Sequence, residues 1–387
     1  MLKRNVVFFC NNLTTFGGGE RWALEVYNLL KSKYKIKMFN PKSTSGEERV
    51  PLEQLQKIYN FKKDIVNIDC FSISTSIFGK YKFNFLVPKN PISLIKELKS
   101  ADIIYTITSN PLLLFSAVLS AKIYNKKLIY GAHNHIFNEL FINSNKVSIA
   151  DKIRIKLYKS IIKQIKYFHV LNNDDAHIVS TFLPNSDKYL IPNFTYFKPG
   201  KISTSPHFNV LFLGRLTRHE KGIDLLYQIV EDIVSKEKNC KFIIAGSNGD
   251  GEEIVKKMVS NFPKNVNWVG FISGDKLEKL FLESNLLVFP SRIEVMPLSI
   301  IEAQSFGLPV VAFNIPGPDR MIKNKENGSL SKPFDIKHFE NSILWYFAKW
   351  KLNKEAYQIM KKKISSATLD KYSPNKAVLK IQSMFDN

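Results

Sequence analysis

The chain is short of cysteine, of acidic side chains and of long apolar runs, and each shortage excludes something. Cys10, Cys70 and Cys240 are its only cysteines, isolated from one another, with no C-x-x-C pair and no histidine at metal-ligand spacing. That excludes a disulfide framework or a zinc site and points to reduced thiols in the cytosol. The longest apolar run, Pro111 to Ala121, is too short to span a bilayer. Met1-Leu2-Lys3-Arg4 followed by Val6–Phe9 has the outline of a signal peptide, but it runs into Asn11-Asn12 with no small-residue cleavage site. A first buried strand is expected there instead, so any meeting with a membrane is at its surface. Low-complexity tracts are absent and only 23% of residues are charged, which excludes wholesale disorder. Asp and Glu number 34 against 56 Lys and Arg, a formal charge of +22. Such an excess favours a polyanionic partner, whether nucleic acid, an anionic membrane surface or a phosphorylated substrate, without choosing among them.

What is present is α/β. The 387 residues are 44% hydrophobic, enough for two domains. Strand patterns at Val6–Cys10, Ile36–Phe39, Ile103–Ile107, Lys127–Tyr130 and Tyr167–Leu171 alternate with helical ones, which predicts mostly parallel sheets. From Ile191 to Pro206 the periodicity lapses among three prolines, a glycine and several Ser and Thr. Beyond it the pattern restarts with strand Val210–Leu213, helix Ile223–Val234 and strand Phe242–Ala245. The expected division is 1–195, a linker at 196–207, 208–365, and a C-terminal helix at 366–387.

Four segments could carry chemistry. In Phe289-Pro-Ser-Arg-Ile-Glu-Val-Met-Pro-Leu-Ser-Ile-Ile-Glu302, a helix is expected to start near Pro297 or Leu298, which presents the amides of Met296–Ser299 to an anion such as a nucleotide diphosphate. Glu294 lies just before that terminus and Glu302 about one turn inside it. Alone, the two glutamates also read as a cap and an ordinary helix charge. In Phe212-Leu-Gly-Arg-Leu-Thr-Arg-His-Glu-Lys-Gly-Ile-Asp224, Gly214 allows close backbone approach at a strand's carboxyl end, where open α/β sheets bind ligands. Arg215 and Lys221 in that loop can neutralise a departing diphosphate; Arg218 and His219 read as solvated surface. Phe16-Gly17-Gly18-Gly19-Glu20-Arg21 is a glycine-rich turn before the first helix, yet neither G-x-G-x-x-G nor a P-loop. Ala132-His133-Asn134-His135 follows a strand and reads either as a functional cluster or as a loop histidine with local hydrogen bonds.

In this order and spacing the four segments resemble family 4 glycosyltransferases of the GT-B fold, nearly along the whole chain. The C-terminal motifs, Gly214–Leu216, Lys221-Gly222, Gly246–Gly251 and Glu294–Pro309, carry most of the likeness. The resemblance implies an α/β, GT-B protein: two Rossmann-like domains whose parallel sheets face a central cleft, closing by a hinge near residue 200, with the terminal helix packed back on the first domain. It implies a retaining, metal-independent hexosyltransferase with no cofactor, since the nucleotide-sugar is a co-substrate. Arg215 and Lys221 would grip the diphosphate, and Glu294 with Met296, Pro297, Leu298 and Ser299 would hold the sugar and phosphate. Glu302 would bind the ribose, with Gly246, Phe271 and Ile272 near the nucleoside. Gly17 and Gly18 would approach the phosphates, and His133 would stand close to the transferred sugar. Val295-Met296-Pro297-Leu298 departs from the commoner G-F-G-L, and Pro297 removes an amide. Pro316-Gly317-Pro318-Asp319 resembles a subgroup that builds bacterial surface polysaccharides.

No D-x-D metal motif is evident, which agrees with transfer driven by fixed positive potential. Lys152, Lys156, Lys159, Lys163 and Lys166 recur at helical steps opposite Ile149, Ile153, Leu157, Ile161 and Ile165. That lysine row is either a solvated face or a surface for anionic lipid. The expected partners are thus a nucleotide-sugar, a glycan or lipid-linked acceptor and the inner face of the membrane, with no nucleic acid. Alternatives are an enzyme acting on a soluble acceptor, a basic nucleic-acid-binding protein, and a binding-only relic of the fold. Against the second, no zinc-finger, helix-turn-helix or aromatic RNA-binding signature is present.

Overall fold

The computed structural model describes residues 3–15, 17–43, 50–77, 81–108, 110–133, 149–195, 197, 206–247 and 249–387. Phe16, Asn134, His135 and most of the expected linker lie outside them. The chain forms two compact units, Met1–Pro192 with Ala377–Asn387, and Asn193–Lys376.

Unit 1 holds an eight-stranded sheet built from β1 (Asn5–Phe9), β2 (Lys35–Ser43), β3 (Ile65–Ile77), β4 (Tyr81–Pro88), β5 (Ile103–Thr106), β6 (Lys127–Ala132), β7 (Tyr167–Val170) and β8 (Asp187–Leu190). Their order is β4-β3-β2-β1-β5-β6-β7-β8, parallel except for the antiparallel β3–β4 pair at one edge. β1 and β5–β7 are covered on both faces, so they are almost wholly buried and read as near-continuous apolar runs. Asn110 caps the helix Pro111–Ile123 by accepting from the amides of Leu112 and Leu113, with Pro111 at the first position. Asn172 caps Asn173–Phe182 in the same way. The C-terminal helix Pro374–Asp386 buries Ala377, Ile381, Met384 and Phe385 within unit 1. Arg4 donates to the carbonyls of Phe385 and Asp386, and the Tyr34 hydroxyl donates to the Asp386 carboxylate at 2.8 Å.

The lysine-row helix spans Ile149–Ile162 and turns differently from the expected stripe. Tyr158, Ile161, Ile162 and Ile165 are buried, whereas Leu157 is 50% exposed. A strict four-residue step drifts around a helix of 3.6 residues per turn, so Leu157 falls beside the buried face that Ile161 and Ile165 occupy. Lys156 and Lys163 are exposed beside it.

Unit 2 holds a fully parallel sheet of β9 (Phe208–Leu213), β10 (Cys240–Ala245), β11 (Val266–Gly270), β12 (Leu286–Phe289), β13 (Val310–Phe313) and β14 (Gly328–Ser331), in the order β11-β10-β9-β12-β13-β14. Alternate side chains divide between two cores. Val210, Phe212, Phe242, Ile244 and Val288 join one, and Leu211, Ala245, Leu287, Phe289 and Val310 the other. The helix Lys354–Lys371 belongs to this unit, where Tyr357, Lys361, Ile364 and Ser365 are buried.

Candidate functional site

The carboxyl ends of β9, β10 and β11 are brought together by glycine. A Cβ on Gly246 would lie 1.9 Å from the Gly214 carbonyl oxygen, and Gly246 has φ +156°. Gly214 N–H donates to Ala245 O at 3.1 Å, and Gly246 N–H to Gly270 O at 2.8 Å. The following loop folds over the first one: Gly251 N–H donates to Leu216 O at 2.7 Å, and a Cβ on Gly249 would meet that oxygen at 2.1 Å. These contacts leave bare backbone at the sheet's carboxyl edge, where an open α/β sheet accepts a ligand.

The charged groups stand at the same edge. Lys221 Nζ donates to Glu294 Oε1 at 2.5 Å, with Glu294 only 9% exposed at its side chain and Lys221 20%. Arg215 donates to Glu220 Oε2 at 2.6 Å. Thus Lys221 and Glu294, far apart in sequence, meet in unit 2, with Arg215 in the loop that carries Lys221. Two further features fasten their loops. A Cβ on Gly222 would meet Pro290 O at 2.2 Å, so the Lys221 loop lies directly on the strand end that carries Ser291 and Arg292. Arg292 forks onto Asp224 at 2.8 and 2.7 Å and donates to Arg218 O at 2.5 Å, while its own N–H reaches Glu220 O. Burial pushes the Asp224 carboxyl up, and the Arg292 fork more than offsets this, holding it below the usual carboxylate range.

The helix beyond Glu294 spans Leu298–Ser305, with extended Pro297 (φ −67°, ψ 121°) at its N-cap position. The expected terminus therefore opens on the amides of Leu298 and Ser299, not on an unbroken run from Met296. Asn193 sets this turn: its Nδ2 donates to Met296 O at 2.7 Å and its N–H to the Met296 sulfur at 3.3 Å. Glu302 sits one turn into the helix, 3% exposed. Gly317, at φ +100°, packs against Val295 O and the Glu294 Cβ, so the Pro316–Asp319 segment borders the glutamate. Phe271 is 39% exposed just past β11, and Ile272 is partly buried. Arg218 and His219 are exposed, as expected of surface charge.

In unit 1, Gly17 is the extended N-cap residue of the helix Gly18–Leu30, with φ −75°. A Cβ there would meet Glu20 Oε2 at 2.7 Å, whereas nothing lies within 4 Å of one on Gly18. Glu20, 6% exposed, accepts from Asn11 Nδ2 at 3.1 Å. His133 stands near Gly19, 2.9 Å through Nε2 from the Tyr105 hydroxyl and 3.3 Å from His169 Nδ1. Burial pushes both imidazoles down, His169 to about 4 and His133 well below the ordinary histidine value with His169 as a second cause.

Residues 198–363 match the family model described as glycosyl transferases group 1. The chain carries a group 1 glycosyltransferase domain. A Haemophilus influenzae relative, known as an uncharacterized glycosyltransferase, is 27% identical over 361 residues, 88% of this chain and 89% of its own. An O-antigen biosynthesis glycosyltransferase of Escherichia coli is 24% identical over 77% of this chain and 83% of its own. Among solved structures, Anabaena HepE in complex with UDP matches 100% of both chains with a TM-score of 0.72 at 14% identity. The fold is the GT-B one, α/β with two Rossmann-like units. The motifs lead to Arg215, Lys221 and Glu294 but not to Asn193, Arg292 or Asp224, which hold them. Arg292 carries a faint signal: a lone arginine between two glycosyltransferase motif residues.

Proposed function

We propose that this glycosyltransferase is a retaining, metal-independent family 4 enzyme that moves a hexose or N-acetylhexosamine from a UDP-sugar to a lipid-linked or glycan acceptor in cell-surface polysaccharide synthesis. The observation that carries it is the meeting of Arg215, Lys221, Glu294 and the Leu298 helix terminus at the carboxyl ends of β9 and β12. As the bond from sugar to diphosphate breaks, negative charge develops on the phosphate oxygens. Two cations and a helix N-terminus held at this edge stabilise that charge. Glu294 is assigned to the sugar hydroxyls, Glu302 to the ribose, and Gly246, Phe271 and Ile272 to the nucleoside. His133, with Gly17 and Gly18, is the contribution assigned to unit 1. UDP is favoured because the Anabaena neighbour binds it, and surface polysaccharide because the E. coli relative serves O-antigen.

Among the described residues no helix is long and apolar enough to cross a membrane. The exposed Lys156, Leu157 and Lys163 support peripheral attachment at the inner face of the membrane, apolar and basic groups side by side. Cosedimentation with anionic vesicles tests it; unchanged partition after neutralising the lysines removes the idea.

The enzymatic reading is tested by thermal unfolding with UDP, GDP and ADP, then by transfer from the matching labelled nucleotide-sugars with and without EDTA. A ligand of the folded state at about a hundred times its Kd adds about 2.7 kcal/mol. Selective stabilisation by UDP, lost in Lys221→Ala, and EDTA-resistant transfer are expected. Near-wild-type transfer by Lys221→Ala or Glu294→Ala takes that residue out of the site.

A further inference from the structure

The hydrogen bonds around His133 admit one direction of donation. His169 Nε2 lies 2.7 Å from Ile191 O, and a carbonyl only accepts, so Nε2 carries the proton. A neutral His169 then presents a bare Nδ1, and that atom is 2.7 Å from the Tyr105 hydroxyl. The hydroxyl has a single proton and gives it to His169 Nδ1. Its oxygen is left to accept from the remaining neighbour, His133 Nε2 at 2.9 Å. The opposite direction would set two lone pairs against each other at 2.7 Å inside a buried cluster.

We infer that Tyr105 and His169 are positioning residues that fix His133 as the Nε2–H tautomer and leave Nδ1 as its one proton-accepting atom. The inference rests on the reading in which His133 serves the transfer. The packing around the chain of bonds makes the arrangement rigid. Trp22 stacks on Tyr105 at 5.1 Å between ring centroids and lies 4.8 and 4.9 Å from His133 and His169. Gly131 is glycine for the same purpose, since a Cβ there would fall 2.3 Å from the Tyr105 hydroxyl and 2.9 Å from His133 Cδ2. The titratable groups set around the pair are Cys10 at the end of β1, Glu20 by way of Cys10, and Tyr130 on β6. Cys10, Tyr105 and Tyr130 all have their ionisation pushed up by burial, so none adds a charge near neutrality. Ile191, the anchor of the chain of bonds, is itself held by its N–H to Val170 O at 3.0 Å, which continues the β7–β8 pairing.

The test combines side-chain 1H–15N correlation spectra of the full chain with kinetics. The expected spectrum has His133 and His169 both neutral and both Nε2–H. A His133 protonated at Nδ1 overturns the inference. In His169→Leu the Tyr105 hydroxyl is released and donates to His133 Nε2, so the His133 signal moves toward Nδ1–H; an unmoved signal overturns it too. Tyr105→Phe keeps the ring packing and the thermal midpoint. It is expected to lower kcat at least about tenfold, as loss of a histidine's orienting partner does, with KM for the nucleotide-sugar within about twofold. Wild-type kcat in that variant refutes the positioning role. His133→Ala separates the two claims: full transfer there ends the reading of His133 as a transfer residue, while the spectra still decide the tautomer.

Discussion

Lys361 is fully buried, and its ammonium donates to Ser284 O at 2.7 Å. Burial alone drives its ionisation from 10.5 down to about 7. The folded state therefore binds fewer protons than the unfolded chain between about pH 7 and 10.5, and stability rises with pH across that window. At 1.36 kcal/mol per unit, that gap amounts to about 5 kcal/mol of destabilisation below pH 7. Integrating the two titrations leaves about 4 kcal/mol at pH 7 and about 2 at pH 9. Lys361→Met keeps the length of the side chain and removes the charge. Losing the bond to Ser284 costs about 1 kcal/mol at either pH. The variant is thus expected to gain on the wild type at pH 7, and its advantage to shrink by about 2 kcal/mol at pH 9. Denaturant unfolding of both proteins at the two pH values measures it, because every other titrating group cancels in the difference. An advantage equal at pH 7 and pH 9 would refute the argument. The position matters to the site, for the Lys361 carbonyl lies 2.3 Å from where a Cβ on Gly307 would be, just past the Leu298–Ser305 helix. Ser365 braces the same helix by donating to Ser305 O.

Two glycines separate the fold's requirements from the ligand's. Gly246→Ala forces a methyl against Gly214 O and is expected to cost more than about 2 kcal/mol of stability, read as a lowered unfolding midpoint. Gly18→Ala meets nothing and should leave that midpoint unchanged or slightly raised while transfer falls; unchanged transfer removes Gly18 from the site. Arg292→Ala leaves Asp224 without its fork, with an expected loss of about 1.5–3 kcal/mol in stability and weaker UDP binding, both measurable by thermal shift. Wild-type UDP affinity in that variant would show that the fork does not position Lys221.

The sequence signals for β1, β5, β6, β7, β9 and β10 were strong because buried parallel strands are apolar on both faces, as Val210-Leu211-Phe212 and Ile103-Ile104-Tyr105 are. The β3–β4 hairpin escaped this test. Its alternating Ile73-Ser74-Thr75-Ser76-Ile77 and Tyr81-Lys82-Phe83-Asn84-Phe85 carry a period of two, which a search for continuous apolar runs passes over. At the site, the motif glycines and Lys221 were legible because their chemistry is local. Asn193 was not, since a bond to Met296 joins residues 103 apart and the surrounding Pro192 reads as linker. Tyr105 and His169 were hidden for a related reason: each lies inside a buried strand pattern, where a tyrosine or histidine counts as core until its partner two strands away is known.

The charge of the chain and the charge of the site carry different messages. A bare patch drawn from a +22 protein would hold any polyanion. Arg215, Lys221 and Arg292 instead meet Glu220, Glu294 and Asp224 within 2.7 Å. A polyanion at this site has to outcompete carboxylates already in place, so binding there favours a ligand that also uses the Leu298 amides and the glycine backbone. Salt dependence distinguishes the cases. A nucleic acid held by six to ten phosphate contacts loses about 10³–10⁵ in affinity between 50 and 200 mM salt. A single diphosphate in a shaped site is expected to lose less than about tenfold over the same range. Fluorescence titration with UDP and with a short duplex at both salt concentrations supplies the comparison. If the duplex binds more tightly than UDP at 200 mM salt, the paired cations are not the recognition element, and the function lies in the exposed lysines.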